Sequence, residues 1–509
     1  MSRSLRSALT FGAGVFGQIV TMIAGFVITP LLLSALGDVR YGAFRAASDW
    51  TSYLSLLELG IGGALQALLA RALGSDNRTG IVAIVRAGMR AYFYVAGLMF
   101  FAGLALAFAM PVLVPVPEDL VGELRFGTLV GLLCLTWLPL APFRPLAEAG
   151  QRGYLINLLL MAQSLTTVVL SLGLAWAGWG IVGQFTAVFA GGLPFYLGVV
   201  YFGLRRYPEV LARNAVGKVP GSLWGLSWPN LVFNIAGRIG LLTDNILIAA
   251  ILGPSAVTSF LLTQRLVVVA QGQAQAIGGA AWAGLIDLHF RGEHVVFARR
   301  LEQLTRLTST VAVALLGPLA VWNHEIIQLW VGSERYAGAT VTWLAAGNAW
   351  CLAVMSIFGW PLTAAGNVRS VVPVIATASL LNISLSVAAT LVVGLPGPLI
   401  GSAAGFLFVA SWWTMRLLTR HFQLSAWRLT WAAFRPLLVG LPLLMGYILV
   451  DEFVPPFNRE WPRWACWLAL TGWLSTAATL YLVAAWWLAV PAADRTEWQG
   501  RIRNRFAKR

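Results

Sequence analysis

The chain has 509 residues, of which 58% are hydrophobic and only 11% charged. That balance excludes a soluble domain. Apolar runs of about 20 residues recur from end to end and none alternates as barrel strands do, so the class is an all-α polytopic membrane protein. The formal net charge of +15 is accounted for by basic loops meeting anionic lipid, and no nucleic-acid partner is expected.

Apolar runs separated by Gly, Pro or charge predict about 14 transmembrane helices. Ser2–Arg6 leads straight into the first, which is expected to stay as an uncleaved anchor. Six spans fall near 11–35, 42–69, 87–114, 121–143, 154–176 and 180–203, and a basic connector follows at 204–222. Six more fall near 223–252, 255–284, 303–331, 338–365, 370–394 and 398–420. Two further spans lie near 432–454 and 462–489, before a basic tail. The expected organisation is a six-helix lobe over 1–210, a second six-helix lobe over 211–425, two additional helices over 426–490 and a cytoplasmic tail over 491–509.

Charge placement supports an even number of spans. With both termini in the cytoplasm, 27 of the 35 Lys and Arg fall on cytoplasmic segments, five outside and three within the membrane. Such a bias obeys the positive-inside rule. Trp176, Trp179, Trp461 and Trp464 sit at span ends, where an interfacial belt belongs.

The halves repeat. Leu36-Gly37 returns as Leu252-Gly253, Ile61-Gly62-Gly63-Ala64 as Ile277-Gly278-Gly279-Ala280, and Pro145-Leu146 with Ala149-Gly150 as Pro361-Leu362 with Ala365-Gly366, each 216 positions on. Gly180 and Gly183 are matched by Gly397 and Gly401 at 217 and 218. Small-residue packing explains glycine content but not a fixed offset. A unit of six spans is even, so the two copies share one orientation about an axis along the membrane normal.

Six charged residues fall inside predicted spans 2, 7 and 8: Arg45, Asp49, Glu58, Arg238, Asp244 and Arg265. Each costs about 2.5–3.5 kcal/mol at mid-bilayer on insertion scales, so such groups usually face a bundle interior or a wet cavity. Arg45 and Asp49 are an i, i+4 pair that can satisfy each other. Asp49 and Arg265 are equivalent positions 216 apart, and opposite charges there also suit a gate between lobes. Gate, cavity pair and structural pair all stay open. Glu58 lies nine residues past Asp49, about half a turn round the helix, so it faces the same cleft only if the helix bends and otherwise packs within its lobe. It is a candidate, with Asp49 and Arg265, for gating or coupling. Arg238, with Asn230 and Asn234 nearby, suits an anionic head group because guanidinium pairs well with phosphate oxygens. Gln264, Gln271 and Gln275 offer amides to sugar hydroxyls or to neighbouring helices. Arg45, Asp49, Arg238, Asp244, Arg265 and Gln271 are the substrate-cavity candidates.

Cys134, Cys351 and Cys466 lie in apolar runs without metal spacing, and His289 and His294 share one loop and read as solvated. No P-loop, dinucleotide fingerprint or long outer loop is present, so a catalytic domain has no room. No catalytic residue, metal or cofactor is expected, although the mixed interior charges leave room for a coupling ion, H+ or Na+.

Several motifs carry a resemblance: Leu36-Gly37 with Tyr41-Gly42 after span 1, Glu58-Leu59-Gly60-Ile61 in span 2, and Ala149-Gly150-Gln151 with Ala365-Gly366-Asn367 after spans 4 and 10. Over residues 10–420 the chain resembles the polysaccharide-transport branch of the multidrug/oligosaccharidyl-lipid/polysaccharide exporter superfamily, the O-antigen-type and related lipid-linked oligosaccharide flippases. The resemblance implies a bacterial inner-membrane protein with two lobes working by alternating access. It implies an undecaprenyl-pyrophosphate-linked glycan moved from the inner to the outer leaflet for surface polysaccharide or lipopolysaccharide assembly. Its expected partners are that glycan, membrane lipids, and a polysaccharide polymerase or glycosyltransferases. A multidrug or cation antiporter of the same superfamily is the alternative, and a membrane-embedded glycan ligase or glycosyltransferase is the second.

Overall fold

The computed structural model describes residues 3–58, 60–75, 77–150, 152–212, 243–365, 368–458 and 460–506. Among the described residues the chain is helical, without a strand. Eleven helical stretches are long and apolar enough to cross a membrane. Their limits follow the expected spans 3 to 6 and 9 to 14 closely. Span 7 is described only over its last turns, Thr243–Leu252, and Arg238, Asn230 and Asn234 lie outside the described residues.

Contacts divide the chain into two compact units, Met1–Thr258 and Ser259–Arg509. The first holds α1 (Arg3–Ser52), a 3₁₀ segment (Tyr53–Glu58), α2 (Ile61–Gly74), α3 (Arg78–Leu113), α4 (Glu118–Gly131), a second 3₁₀ segment (Leu132–Leu140), α5 (Phe143–Ala149), α6 (Gly153–Trp176), α7 (Gly180–Gly191), α8 (Leu193–Arg206) and α9 (Thr243–Leu252). The second holds most of α10 (Pro254–Phe290), then α11 (His294–Val321), α12 (Asn323–Trp330), α13 (Ala339–Ala364), α14 (Val368–Val393), α15 (Gly397–Ala404), α16 (Ser411–Phe422), α17 (Ala426–Phe453), α18 (Arg463–Leu488) and α19 (Ala492–Phe506).

Spans 1 and 2, expected as separate runs, are joined without a loop. α1 runs through the first and into the first part of the second, and bends at Gly37, whose φ of 73° an L side chain rarely adopts. Gly253, its partner in the repeat, has φ 90° between α9 and α10. Both glycines therefore make the same left-handed corner, which lets two apolar helices meet end to end with almost no connecting chain.

The core of the first unit gathers Leu54, Ile61, Leu65, Leu69, Ile84 and Phe143. In the second unit α11 and α13 are the most enclosed spans, with 67% and 61% of their apolar windows buried. The two helices beyond the repeat cover α11: Ser309 Oγ donates to the Ala433 carbonyl of α17 at 2.6 Å, and α18 is tied to α17 by Tyr481 Oη, which donates to the Pro436 carbonyl at 3.0 Å. Lipid tails are as apolar as a leucine core, so such packing and hydrogen bonding, rather than expulsion from water, hold α11 in place. Trp176 and Trp464 stand 66% and 70% exposed at helix ends, as an interfacial belt requires.

The tail is more than a solvated basic segment. α19 docks on α11: Arg306 Nη1 reaches Asp494 at 2.5 Å, while Arg299 and Arg300 reach Glu497 at 2.8 and 2.7 Å.

Candidate functional site

One stripe on α1 and the turn that follows it carries the polar chemistry. Asp38, Gly42, Arg45, Asp49 and Tyr53 are spaced by four or three residues and so share a helix face. They meet α9 and the start of α10. Thr258 Oγ1 donates to the Asp38 carbonyl at 2.7 Å, Asn245 Nδ2 donates to Asp49 Oδ2 at 2.7 Å, and the Tyr53 and Thr243 hydroxyls lie 2.9 Å apart. At Gly42 the backbones approach so closely that a Cβ would collide with the Pro254 carbonyl.

This crossing has local twofold character. Asp38 corresponds to Pro254 and Gly42 to Thr258 in the 216-residue offset. Asp38 meets Thr258, and Gly42 meets Pro254, so each contact is the image of the other, as in a self-complementary interface. The crossing lies next to the corners at Gly37 and Gly253.

The polar groups beyond the crossing are only partly satisfied. Asp49 is 8% exposed and its described hydrogen bond comes from Asn245. Arg45 Nε, Trp50 Nε1 and Asn245 Oδ1 are buried without a hydrogen-bond partner. Among the described residues no ion pair closes between Arg45 and Asp49, one turn apart. Unpaired buried polar atoms cost about 1–3 kcal/mol each, so three around one buried carboxylate mark a place for water, an ion or a substrate group. Asp244 is half-buried beside Asn245.

The remaining candidates fall elsewhere. Glu58 turns into its own unit, where its carboxylate accepts from the Tyr92 hydroxyl of α3. The helix does break between Asp49 and Glu58, where α1 gives way to the 3₁₀ segment, and Gly60 at φ 74° follows it, yet Glu58 takes its hydrogen bond from Tyr92 rather than joining Asp49. Arg265 is exposed on α10 and Gln271 half-buried one to two turns further on. Arg144, at the start of α5, donates to Glu148 at 2.9 Å. Tyr53, Trp50, Thr243 and Asn245 were not among the sequence candidates. Tyr53 was within reach, being four residues past Asp49 on the same face. Asn245 was masked by its charged neighbour Asp244.

No protein-family model and no curated protein sequence matches the chain. Solved structures do. The chain is similar to the lipid II flippase MurJ in an inward closed conformation, with TM-score 0.67 and 12% identity over 94% of this chain and 98% of that one. The fold is the one MurJ and the MATE transporters share. An inward-facing multidrug resistance MATE transporter of the MOP superfamily matches with TM-score 0.54 and 14% identity, covering 82% of this chain and 99% of its own. A eukaryotic MATE transporter matches with TM-score 0.52 and 15% identity over 85% and 98%. The chain is thus a multi-pass membrane protein with a transporter fold, and the MurJ likeness extends over nearly its whole length.

Proposed function

We propose that the chain is a flippase that carries an undecaprenyl-pyrophosphate-linked glycan from the inner to the outer leaflet of a bacterial inner membrane by alternating access. The observation that supports this reading is the likeness to a lipid flippase, with TM-score 0.67 over 94% of the chain, against TM-scores of 0.54 and 0.52 for the two MATE structures. The chemistry is compatible. In the first unit Arg45 offers guanidinium to a pyrophosphate and Asn245 an amide to glycan hydroxyls; Arg238, Arg265 and Gln271 are further candidates of the same chemistry by sequence. The crossing at Gly42 and Pro254 serves as the closure on one side of the membrane and must part when that side opens. Asp49 is the candidate for coupling to H+ or Na+.

A second reading has its own observation. A buried acid with a neutral amide partner and no ion pair, as Asp49 is, also suits a cation antiporter of the same fold. Reconstitution separates the two. In proteoliposomes holding a fluorescent undecaprenyl-pyrophosphate glycan, the wild-type chain is expected to expose the inner-leaflet label to an external quencher. Arg45→Ala and Arg265→Ala are expected to slow that exposure. A wild-type chain that leaves the label untouched, yet exchanges cationic drugs for protons or sodium, would sink the flippase reading.

A further inference from the structure

A polar cavity lies within the unit formed by Ser259–Arg509, well apart in sequence from the stripe around Asp49. It encloses about 820 Å³ between the end of α10, the start of α11, the turn joining α16 to α17, and α19. Three of the chain's four histidines line it, His289, His294 and His421. The His289 ring centroid lies 5.4 Å from that of His294 and 6.2 Å from that of His421. Arg299, Arg306 and Arg428 join them, against the acids Glu302 and Asp494.

Two buried polar atoms on this wall lack partners. Arg306 is 8% exposed and spends Nη1 on Asp494, but its Nε makes no hydrogen bond. His289 Nδ1 is likewise buried without a partner. Two long helices also begin here. α11 starts at His294 with no side chain capping it, and α17 starts after Ser425. Their N-termini add partial positive charge and free N–H groups. Among the described residues no group of His, Cys, Asp and Glu has the arrangement of a metal site. Arg306 is paired with Asp494 and Arg299 with Glu497, which leaves Arg428 and the three histidines facing Glu302.

We propose that this cavity binds a phosphorylated anion, with His289, His294, His421 and Arg428 as donors around Arg306. The ligand belongs to the phosphate or pyrophosphate class, as a soluble compound or as the head group of a lipid. Because α19 forms one wall, the bound anion also ties the tail to α11. Burial and the neighbouring His294 and His421 hold the His289 imidazole below its ordinary range, disfavouring its charged form. An anion favours the protonated form, so binding takes up protons and tightens as pH falls. Glu302 and Asp494 face the same cluster from α11 and α19, while Asp287 is neutralised by Arg291 at 2.7 Å on α10.

The test uses the full chain in nanodiscs of neutral lipid, titrated calorimetrically with inorganic pyrophosphate. His421→Gln combined with Arg428→Gln changes two exposed side chains and leaves α11 and α19 intact. Saturable binding is expected. The double variant should weaken it at least about tenfold, since hydrogen bonds to charged groups are worth about 1.5–3 kcal/mol each. Affinity should rise between pH 7.5 and 6.0. The double variant is compared with the wild type in the Arg45→Ala background as well, where its effect should persist, which separates the cavity from the proposed transport site. Native mass spectrometry then assigns the source. Cardiolipin retained by the wild-type chain, displaced by pyrophosphate and lost in the double variant, identifies a lipid head group. Pyrophosphate binding without lipid retention identifies a soluble ligand. The proposal is overturned if neither probe binds, or if binding survives the double variant intact.

Discussion

The inner helices of the two repeats begin alike and then part. Both leave a left-handed glycine corner, Gly37 in the first and Gly253 in the second. The first then runs through Arg45 and Asp49 and breaks into a 3₁₀ turn over Tyr53–Glu58, restarting only after Gly60. The second continues unbroken as α10 from Pro254 to Phe290. The counterparts of Glu58 and Gly60 are Ala274 and Ala276, alanine being the best helix former. The repeat thus preserves the corner but not the hinge. A mid-helix 3₁₀ stretch often marks a functional hinge. Here it sits beside the buried Asp49 carboxylate, on the copy that carries the unpaired Arg45 Nε and Trp50 Nε1.

The largest effect should come from removing what the two copies share. Gly42→Leu drives a side chain into the Pro254 carbonyl and pries the crossing open. Overpacking costs about 1–3 kcal/mol, enough to shift a two-state equilibrium about 5- to 150-fold. Glycan translocation should nearly stop, and a cysteine introduced in place of Thr258 should become more reactive to a water-soluble maleimide. Normal transport with an unreactive cysteine would show that the crossing never opens in the cycle.

Next in size is a change that removes charge from the first copy only. Asp49→Asn keeps a hydrogen-bonding group opposite Asn245 but cannot ionise. Translocation is expected to fall by about tenfold, the equivalent of one charge-assisted hydrogen bond, and to stop responding to an imposed proton or sodium gradient. A gradient response equal to that of the wild type would remove Asp49 from coupling and leave it a structural role at the helix contact.

Much of this architecture was legible in the sequence. Hydropathy gave the spans because a lipid-facing helix must be apolar along its length. The 216-residue offset picked out Gly37 and Gly253 before their conformation was known. The break after Asp49 was not legible, since residues 42–69 remain apolar through it and hydropathy does not report a left-handed glycine. Partner choice was hidden for a similar reason. Asp49 and Arg265 share a register in sequence, but the carboxylate takes its hydrogen bond from Asn245, an uncharged residue with no charge pattern to betray it. The docked tail was obscured by its net positive charge, because Asp494 and Glu497 are two acids in a basic segment.

A smaller effect is expected where the first copy satisfies a charge that the second lacks. Tyr92→Phe deprives the Glu58 carboxylate of its donor, which should cost about 1–3 kcal/mol and lower thermal stability in detergent. Glu58→Ala reproduces Ala274, and the two changes together should cost less than their sum, because the orphaned carboxylate is gone. Strict additivity would mean that the contact contributes nothing of its own.

The smallest change tests the hinge itself. Gly60→Ala gives the first copy the residue of the second at a position with φ 74°. If the break is imposed by the surrounding packing, alanine must sit in the left-handed region, and stability falls by about 1–2 kcal/mol with the break intact. If the break exists because glycine permits it, alanine lets the helix run on from Ser52 towards Ile61. Tyr53 and Glu58 would then rotate relative to their partners. The two cases separate on the Glu58–Tyr92 contact. In the first, Tyr92→Phe remains destabilising in the Gly60→Ala background. In the second it becomes neutral, because Tyr92 no longer has Glu58 to hold. The second result would make Gly60 the switch between a hinged and a rigid inner helix. Ala276→Gly in α10 should then cost only the roughly 1 kcal/mol of an exposed helix glycine, without creating a hinge, because Ala274 stands where the first copy has Glu58 to hold the bent form.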